Sequence, residues 1–287
     1  MLSQLKIGVF GGDMRQVYLA DALLKKGFHV CTFKTKEKIE HENCTTLHNL
    51  TELFEQCNVI IGPIPFNKDL VTAASATDIN SDLSQLLSND HILIGGIIPP
   101  HIVNSCNLKG VPYYDYMNDE KIAILNAIAT AEGSIMEAIK SSDINLHGSQ
   151  CLVLGYGRCG KVLAGKLKAL DAKVTIAARS EEALAYAEAA GYQTCNLSDI
   201  KSILPSFNFI FNTIPALVLD KAHLALVDPK VTIIDIASQP GGVDFEFALK
   251  NNINAKLCLG LPGKVSPKTS ADIILCGIMS FIKERSG

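Results

Sequence analysis

An apolar strand, Cys151-Leu152-Val153-Leu154, runs directly into Gly155-Tyr156-Gly157-Arg158-Cys159-Gly160, and this junction restricts the chain to few folds. Each glycine answers a separate demand: Gly155 the tight turn, Gly157 the approach of a pyrophosphate to the backbone, and Gly160 the close packing of the next helix on the strand. Residues 161–170 (KVLAGKLKAL) are helical in pattern, and the start of that helix presents free N–H groups and about half a positive charge to phosphates. Lys173 to Ala177 (KVTIA) supplies a second strand. A bare GxGxxG is weak; flanked by strand and helix it predicts a dinucleotide site rather than a glycine-rich turn that merely packs a helix. Gly155, Tyr156, Gly157, Arg158, Cys159 and Gly160 are therefore the expected cofactor-binding loop.

The end of the second strand discriminates between cofactors. An NAD site places an Asp or Glu about 20 residues beyond the motif, on the ribose 2′-OH. This chain has Ala177-Ala178-Arg179-Ser180. With no carboxylate to repel a 2′-phosphate, Arg179 offers a planar fork of donors and Ser180 a hydroxyl, which predicts NADP. The alternative is a solvated Arg179 beside a Ser180 that only caps the helix from Glu181; the capping and phosphate roles are compatible.

A second strand-turn-helix opens the chain: Lys6 to Phe10, then Gly11-Gly12-Asp13-Met14-Arg15-Gln16, then a helix expected from Val17 to Lys26. Val30 to Phe33, Val59 to Ile61 and Ile92 to Ile94 are short β-branched runs, with helical segments at 50–57 and 81–88, as in a parallel sheet covered on both faces. Charged Asp13 and Arg15 would obstruct a pyrophosphate here, whereas a helix N-terminus with an arginine suits a small carboxylate. Asp13 as a helix N-cap with Arg15 a surface charge is the alternative. Gly62 to Phe66 and Gly95 to Pro100 follow strands and are expected to shape a pocket.

Asn118 to Lys140 reads as one long helix, with Ile122, Leu125, Ala129, Ile135 or Met136, and Ile139 on one face. Farther on, strands 208–212 and 231–236 end in Thr213-Ile214-Pro215 and Ala237-Ser238, which are expected to face a nicotinamide. A last helix, Pro267 to Glu284, carries an apolar stripe of Ile273, Ile274, Ile278, Phe281 and Ile282. The predicted class is α/β: two Rossmann-like parallel-sheet domains joined by a long helix and a returning C-terminal helix. The expected boundaries are 1–117 for an N-terminal substrate domain, 118–141 for the bridging helix, and 142–265 for an NADP-binding Rossmann domain. Residues 266–287 are expected to form a helix packing back on the N-terminal domain, and the cleft between the two sets of strand ends is the expected site.

At 287 residues, 48% hydrophobic and 19% charged, the chain is long enough for two cored domains and too apolar for disorder. A net charge of −3 gives no electrostatic reason for nucleic acid or an anionic membrane as partner. The apolar run Ile7 to Phe10 is too short for a signal peptide, and Ala271 to Ile282 too short for a membrane span, so a cytoplasmic protein is expected. Nine scattered cysteines and seven histidines show neither CxxC nor metal-ligand spacing; reduced thiols and no metal are expected. Cys159, at a helix N-terminus where a thiol pKa can fall, is either a reactive thiol or a small residue filling the turn.

Four segments together resemble a specific family, dipicolinate synthase A of spore-forming bacteria. They are Gly11-Gly12-Asp13-x-Arg15-Gln16, Gly155-Tyr156-Gly157-Arg158-x-Gly160, Asp235-x-Ala237-Ser238-x-Pro240-Gly241-Gly242 and Leu261-Pro262-Gly263-Lys264-x-x-Pro267-Lys268-Thr269. The middle motif alone admits many reductases; the first and last are far more selective. The resemblance implies formation of pyridine-2,6-dicarboxylate from a hydroxylated tetrahydrodipicolinate and a nicotinamide cofactor. It also implies a separate flavoprotein-like partner, dipicolinate synthase B, in the mother cell of a sporulating bacterium. A homo-oligomer is also expected. Two substrate carboxylates need cationic partners, for which Arg15 and Lys264 are the candidates; with Asp13 and Gln16 beside Arg15 they are the expected substrate-binding residues. No catalytic residue is assigned, although Asp13, Asp115 and Tyr116 are candidates for acid–base work. Two other functions fit the motifs: an NADP-dependent dehydrogenase of the alanine dehydrogenase or 2-hydroxyacid type, and a non-catalytic NADP-binding regulatory protein.

Overall fold

The structure, a computed structural model, describes residues 5–66 and 83–286; part of the helix expected over 81–88 lies outside them. In chain order the first elements are β1 (Lys6–Phe10), α1 (Met14–Lys25), β2 (His29–Phe33), β3 (Cys44–Thr46), α2 (Leu50–Gln56), β4 (Val59–Ile61) and β5 (Ile92–Gly95). Next come α3 (Pro100–Lys109), β6 (Tyr113–Asp115), the long helix α4 (Glu120–Lys140), β7 (Gln150–Leu154), α5 (Arg158–Ala169), β8 (Lys173–Ala178), α6 (Glu181–Ala189) and β9 (Gln193–Asn196). The chain finishes with β10 (Phe209–Asn212), α7 (Lys221–Leu224), β11 (Thr232–Asp235), α8 (Phe245–Lys250), β12 (Asn254–Leu257), α9 (Leu261–Val265) and α10 (Pro267–Ser286). It forms two compact units, Met1–Leu125 with Ser266–Gly287, and Asn126–Val265.

The first unit holds a six-stranded sheet in the order β3-β2-β1-β4-β5-β6, parallel throughout. This is the Rossmann order, in which the chain reverses direction across the sheet between β1 and β4 and leaves a crevice at their carboxyl ends. Period-2 alternation distributes the side chains. Ile7, Val9, Val59 and Ile61 enter one core with Leu19, Leu23, Ile274 and Ile278. Phe10, Ile60 and Leu93 enter another with Leu53, Phe54 and Ile102.

Helix α1 begins at Met14, three residues before the expected start at Val17, because Asp13 caps it directly after the glycine pair. Arg15 and Gln16 therefore lie in its first turn. Helix α10 completes the unit: Ala271, Ile274, Leu275, Ile278 and Ile282 are buried in the same core as α1, and Phe281 stacks on Tyr114 with ring centroids 4.8 Å apart. Tyr114 in turn donates to Asp119 Oδ2 at 2.6 Å, and Asp119 Oδ1 accepts from Ile122 N at 3.1 Å, which starts α4.

The second unit repeats the plan, with parallel strands in the order β12-β11-β10-β7-β8-β9 and the reversal between β7 and β10. Cys151 and Val153 face a core shared with Leu163 and Leu167 of α5 and with Ala131, Ile135 and Ala138 of α4. Leu152 and Leu154 face the opposite core with Ile210, Ile233 and Leu224. By length and composition α4 is apolar enough to cross a membrane, yet these side chains make it a core helix. Ile139, expected on its apolar stripe, is 56% exposed, whereas Ala131, Ile135 and Ala138 lie in the core.

Since α10 fills the first unit's core from the far end of the chain, Ile278→Ala should cost about 2–5 kcal/mol in denaturant unfolding. A change below about 0.5 kcal/mol would mean that α10 is an ornament on a core complete without it.

Candidate functional site

In the second unit the three glycines meet three different surroundings. Gly155 has φ +93°, and a Cβ there would lie 2.5 Å from Thr213 Oγ1. A Cβ on Gly160 would lie 2.2 Å from the Gly155 carbonyl oxygen, so only glycine lets α5 approach β7 this closely. A Cβ on Gly157, the N-cap of α5, would meet nothing within 4 Å. Two positions are thus sterically compulsory for the protein itself, while the third is bare toward open space. Bare backbone at a helix N-terminus, on the reversal between β7 and β10, is what a pyrophosphate requires. The loop fits the phosphates of a dinucleotide.

The neighbouring strand ends are clamped by two buried polar residues, one that sequence reasoning passes over and one, Asp235, that it names only within a motif and gives no role. Asn212 and Asp235 are both fully buried and close β10 and β11. Asn212 Nδ2 donates to Asp235 Oδ1 at 2.9 Å and to the Ile214 carbonyl at 3.0 Å, while Asn212 Oδ1 accepts from Ile214 N at 3.1 Å. Asp235 Oδ1 accepts from Ala237 N at 2.9 Å and Oδ2 from Gly242 N at 2.6 Å. Thr213 Oγ1 donates to the Leu154 carbonyl at 2.8 Å. One network therefore fixes the backbone of Thr213, Ile214 and Ala237 beside the glycine loop, and leaves Pro215 and Ser238 exposed at its edge. The available signal is a polar residue ending each of two apolar strands, FIFN and TIID.

The Tyr156 ring meets Tyr192 edge-on at 6.1 Å, with Lys161 Nζ 5.7 Å from its centroid. Arg158 is exposed at the first turn of α5. Burial raises the Cys159 thiol pKa, against the opposing Arg158 charge. Of its two expected roles, the structure supports the filler. Past β8, Arg179 and Ser180 are exposed; Ser180 Oγ accepts from Ala183 N at 3.3 Å and caps α6. Glu181 follows, its Oε1 accepting from Asn196 Nδ2 at 3.4 Å.

The corresponding crevice of the first unit is filled. Gln16 folds over Gly12, where a Cβ would come within 2.7 Å of its amide, and Gln16 Nε2 donates to the Gly62 carbonyl at 2.9 Å. It is this amide, more than the charged Asp13 and Arg15 named from sequence, that bars a pyrophosphate. Asp13 and Arg15 form an ion pair: Arg15 Nε lies 2.9 Å from Oδ1, and Nη2 lies 2.8 Å from Oδ2. Arg15 is 7% exposed, so it is not a surface charge. The fork expected to receive a carboxylate is occupied by Asp13 itself, whose Oδ1 also accepts from Arg15 N as the N-cap. Desolvation of Asp13 is outweighed by the Arg15 hydrogen bonds and charge, which hold its carboxyl below the usual value.

The other acid–base candidates are engaged in structure. Asp115 accepts from Ile97 N, Ile98 N and Met117 N, each at 3.0 Å. It thereby holds Ile97 at φ +58°, a conformation that β-branched residues avoid. Tyr116 is fully buried, and burial raises its pKa. Lys264 is exposed on the short helix α9 of the second unit.

Residues 6–117 match the family of the dipicolinate synthase A N-terminal domain, and residues 123–254 match the NAD binding domain of D-isomer specific 2-hydroxyacid dehydrogenases. Dipicolinate synthase A of Bacillus subtilis (strain 168) is 33% identical over 99% of this chain and 98% of its own length. The crystal structure of dipicolinate synthase A from Bacillus halodurans superposes with a TM-score of 0.88 at 30% identity, covering 98% of each chain. The crystal structure of its Bacillus subtilis counterpart gives 0.84 at 31% identity, covering 99% of this chain and 97% of the other.

The glycine surroundings separate stability from binding. Gly160→Ala should lower unfolding stability by about 1–3 kcal/mol. Gly157→Ala should leave stability within about 0.5 kcal/mol while weakening nicotinamide dinucleotide binding more than tenfold, about 1.4 kcal/mol. Thermal unfolding and calorimetric titration of the two variants check this; equal behaviour would refute the assignment.

Proposed function

The chain belongs to the dipicolinate synthase A family, and on that premise we propose that it oxidises a dehydrated 4-hydroxy-tetrahydrodipicolinate to pyridine-2,6-dicarboxylate with NADP⁺. The observation that carries this reading is the bare Gly157 edge between two sterically compulsory glycines. Loss of the ring hydroxyl as water leaves a dihydropyridine, and removal of one hydride and one proton completes the aromatic ring. A nicotinamide cofactor held by the glycine loop after β7 would supply the hydride acceptor, NADP⁺ leaving as NADPH.

The protein's part is positioning. The backbone N–H groups at the start of α5 hold the pyrophosphate. The amides and carbonyls of Thr213, Ile214 and Ala237, fixed by Asn212 and Asp235, flank the nicotinamide. In the first unit Arg15 neutralises a substrate carboxylate, with Asp13 and Gln16 beside it; in the second, exposed Lys264 is the candidate cation. Burial of Arg15 supports this role, since a buried guanidinium with unused donors is a ready carboxylate partner. Support for NADP over NAD comes from β8, which ends in Ala177 and Ala178 with Arg179 and Ser180 exposed beyond it and Glu181 turned toward Asn196. The reading includes dipicolinate synthase B as partner, homo-oligomers of this chain, and the cytoplasm of a sporulating mother cell.

Purified chain supplied with NADP⁺ and the hydroxylated intermediate should form NADPH and pyridine-2,6-dicarboxylate in equal amounts in the presence of dipicolinate synthase B. Product formed with no NADPH, or none at all from the reconstituted pair, would defeat the proposal. NADPH should bind at least about tenfold more tightly than NADH, since a charged contact is worth about 1.5–3 kcal/mol. Arg179→Ala should abolish that preference by weakening NADPH alone, as read by calorimetry. Equal affinities in the unaltered chain would reject Arg179 as a phosphate ligand.

A further inference from the structure

A guanidinium carries five N–H donors. In Arg15, Nε donates to Asp13 Oδ1 at 2.9 Å and reaches Oδ2 at 3.2 Å, while Nη2 donates to Asp13 Oδ2 at 2.8 Å and to the Ile64 carbonyl at 3.3 Å. Nη1 makes no hydrogen bond among the described residues, although the side chain is only 9% exposed. Among the described residues the buried side-chain atoms without a partner are Gln16 Oε1 and Asn126 Oδ1 and not Nη1, so Nη1 is the open end of the guanidinium, which a ligand can approach. Two anchors, Asp13 after β1 and Ile64 after β4, grip the same edge of the guanidinium from either side of the sheet's reversal. Its plane is thereby fixed and Nη1 is the part left over.

We propose that Asp13 is a positioning residue, which holds Arg15 side-on so that Nη1 alone is offered to a carboxylate of the substrate. This rests on the reading that the first unit takes the dicarboxylate. Arg15 meets one carboxylate through a single nitrogen, and the fork geometry that usually reads both oxygens is spent on Asp13. Gln16, filling the space above Gly12, stops the ligand from sinking into the crevice. Asp13 is then neither acid nor base in the reaction: its carboxylate is held ionised by Arg15, and both oxygens are already accepting. The cap and the grip are separable roles. Asn caps a helix as well as Asp does, but it replaces one acceptor oxygen by an amide that cannot accept from Nη2.

The test is a double-mutant cycle on the full chain loaded with NADP⁺, titrated calorimetrically with pyridine-2,6-dicarboxylate. Arg15→Ala and Asp13→Asn should each weaken that ligand about tenfold. Asp13→Asn should add nothing in the Arg15→Ala background, because it acts only through Arg15. NADP⁺ affinity should stay within twofold in every variant. Asp13→Ser, which also caps but carries no charge, should repeat the Asp13→Asn result. If Arg15→Ala binds the dicarboxylate normally, the substrate reading of the first unit falls and the positioning role with it. If Arg15→Ala weakens binding but Asp13→Asn does not, or the two effects add, the positioning role alone is wrong. Failure of both Asp13 variants to fold would mark the pair as structural and likewise overturn it.

Discussion

The contact between Gly160 and the Gly155 carbonyl sets the geometry on which the second unit depends. With a hydrogen where any other residue has a Cβ, α5 starts close against β7. The free N–H groups of its first turn then stand at the reversal between β7 and β10, where one strand neighbour departs on each side. A larger residue would push the helix out and turn those donors away. The Asn212–Asp235 network does the same for the adjacent strand ends by tying side chains to backbone instead of by omitting them. Both devices place unpartnered backbone in a fixed position, which suits binding by pre-organisation.

The two units show how one topology is opened or closed by a few residues. Their sheets share strand order and parallel sense, and each has a glycine turn after its first strand. In the second unit nothing stands over Gly157. In the first, Gln16 lies over Gly12 and bonds across to Gly62, and Arg15 reaches Ile64. The crevice that would cradle a pyrophosphate is replaced by a buried, charged edge.

Much of this is legible in the sequence because it rests on local rules. The glycine motif, the apolar strands of both sheets and the Asp13 cap follow from turn chemistry and periodicity. The start of α1 reads three residues late because a glycine pair suggests a longer loop than it makes when a capping aspartate follows at once. The edge strands β3, β6, β9 and β12 escape notice because CTT, YYD, QTCN and NAKL are partly exposed and lack a run of aliphatic residues. Asp115, Asn212 and Asp235 can be seen as polar residues at strand ends, but their partners lie 17 and 23 residues away in sequence. Such pairings are properties of the fold. The Arg15 grip is of the same kind: the sequence shows the Asp13 charge beside it, while the Ile64 carbonyl that completes it follows another strand.

The central claim is that the open crevice of the second unit, and not the filled one of the first, takes the dinucleotide. Amide hydrogen exchange of the full chain with and without NADPH tests this directly, since bound phosphates protect the donors they occupy. Exchange should slow in peptides covering 155–161, 178–181 and 212–215 and stay unchanged over 11–16. Protection over 11–16 with none over 155–161 would contradict the account.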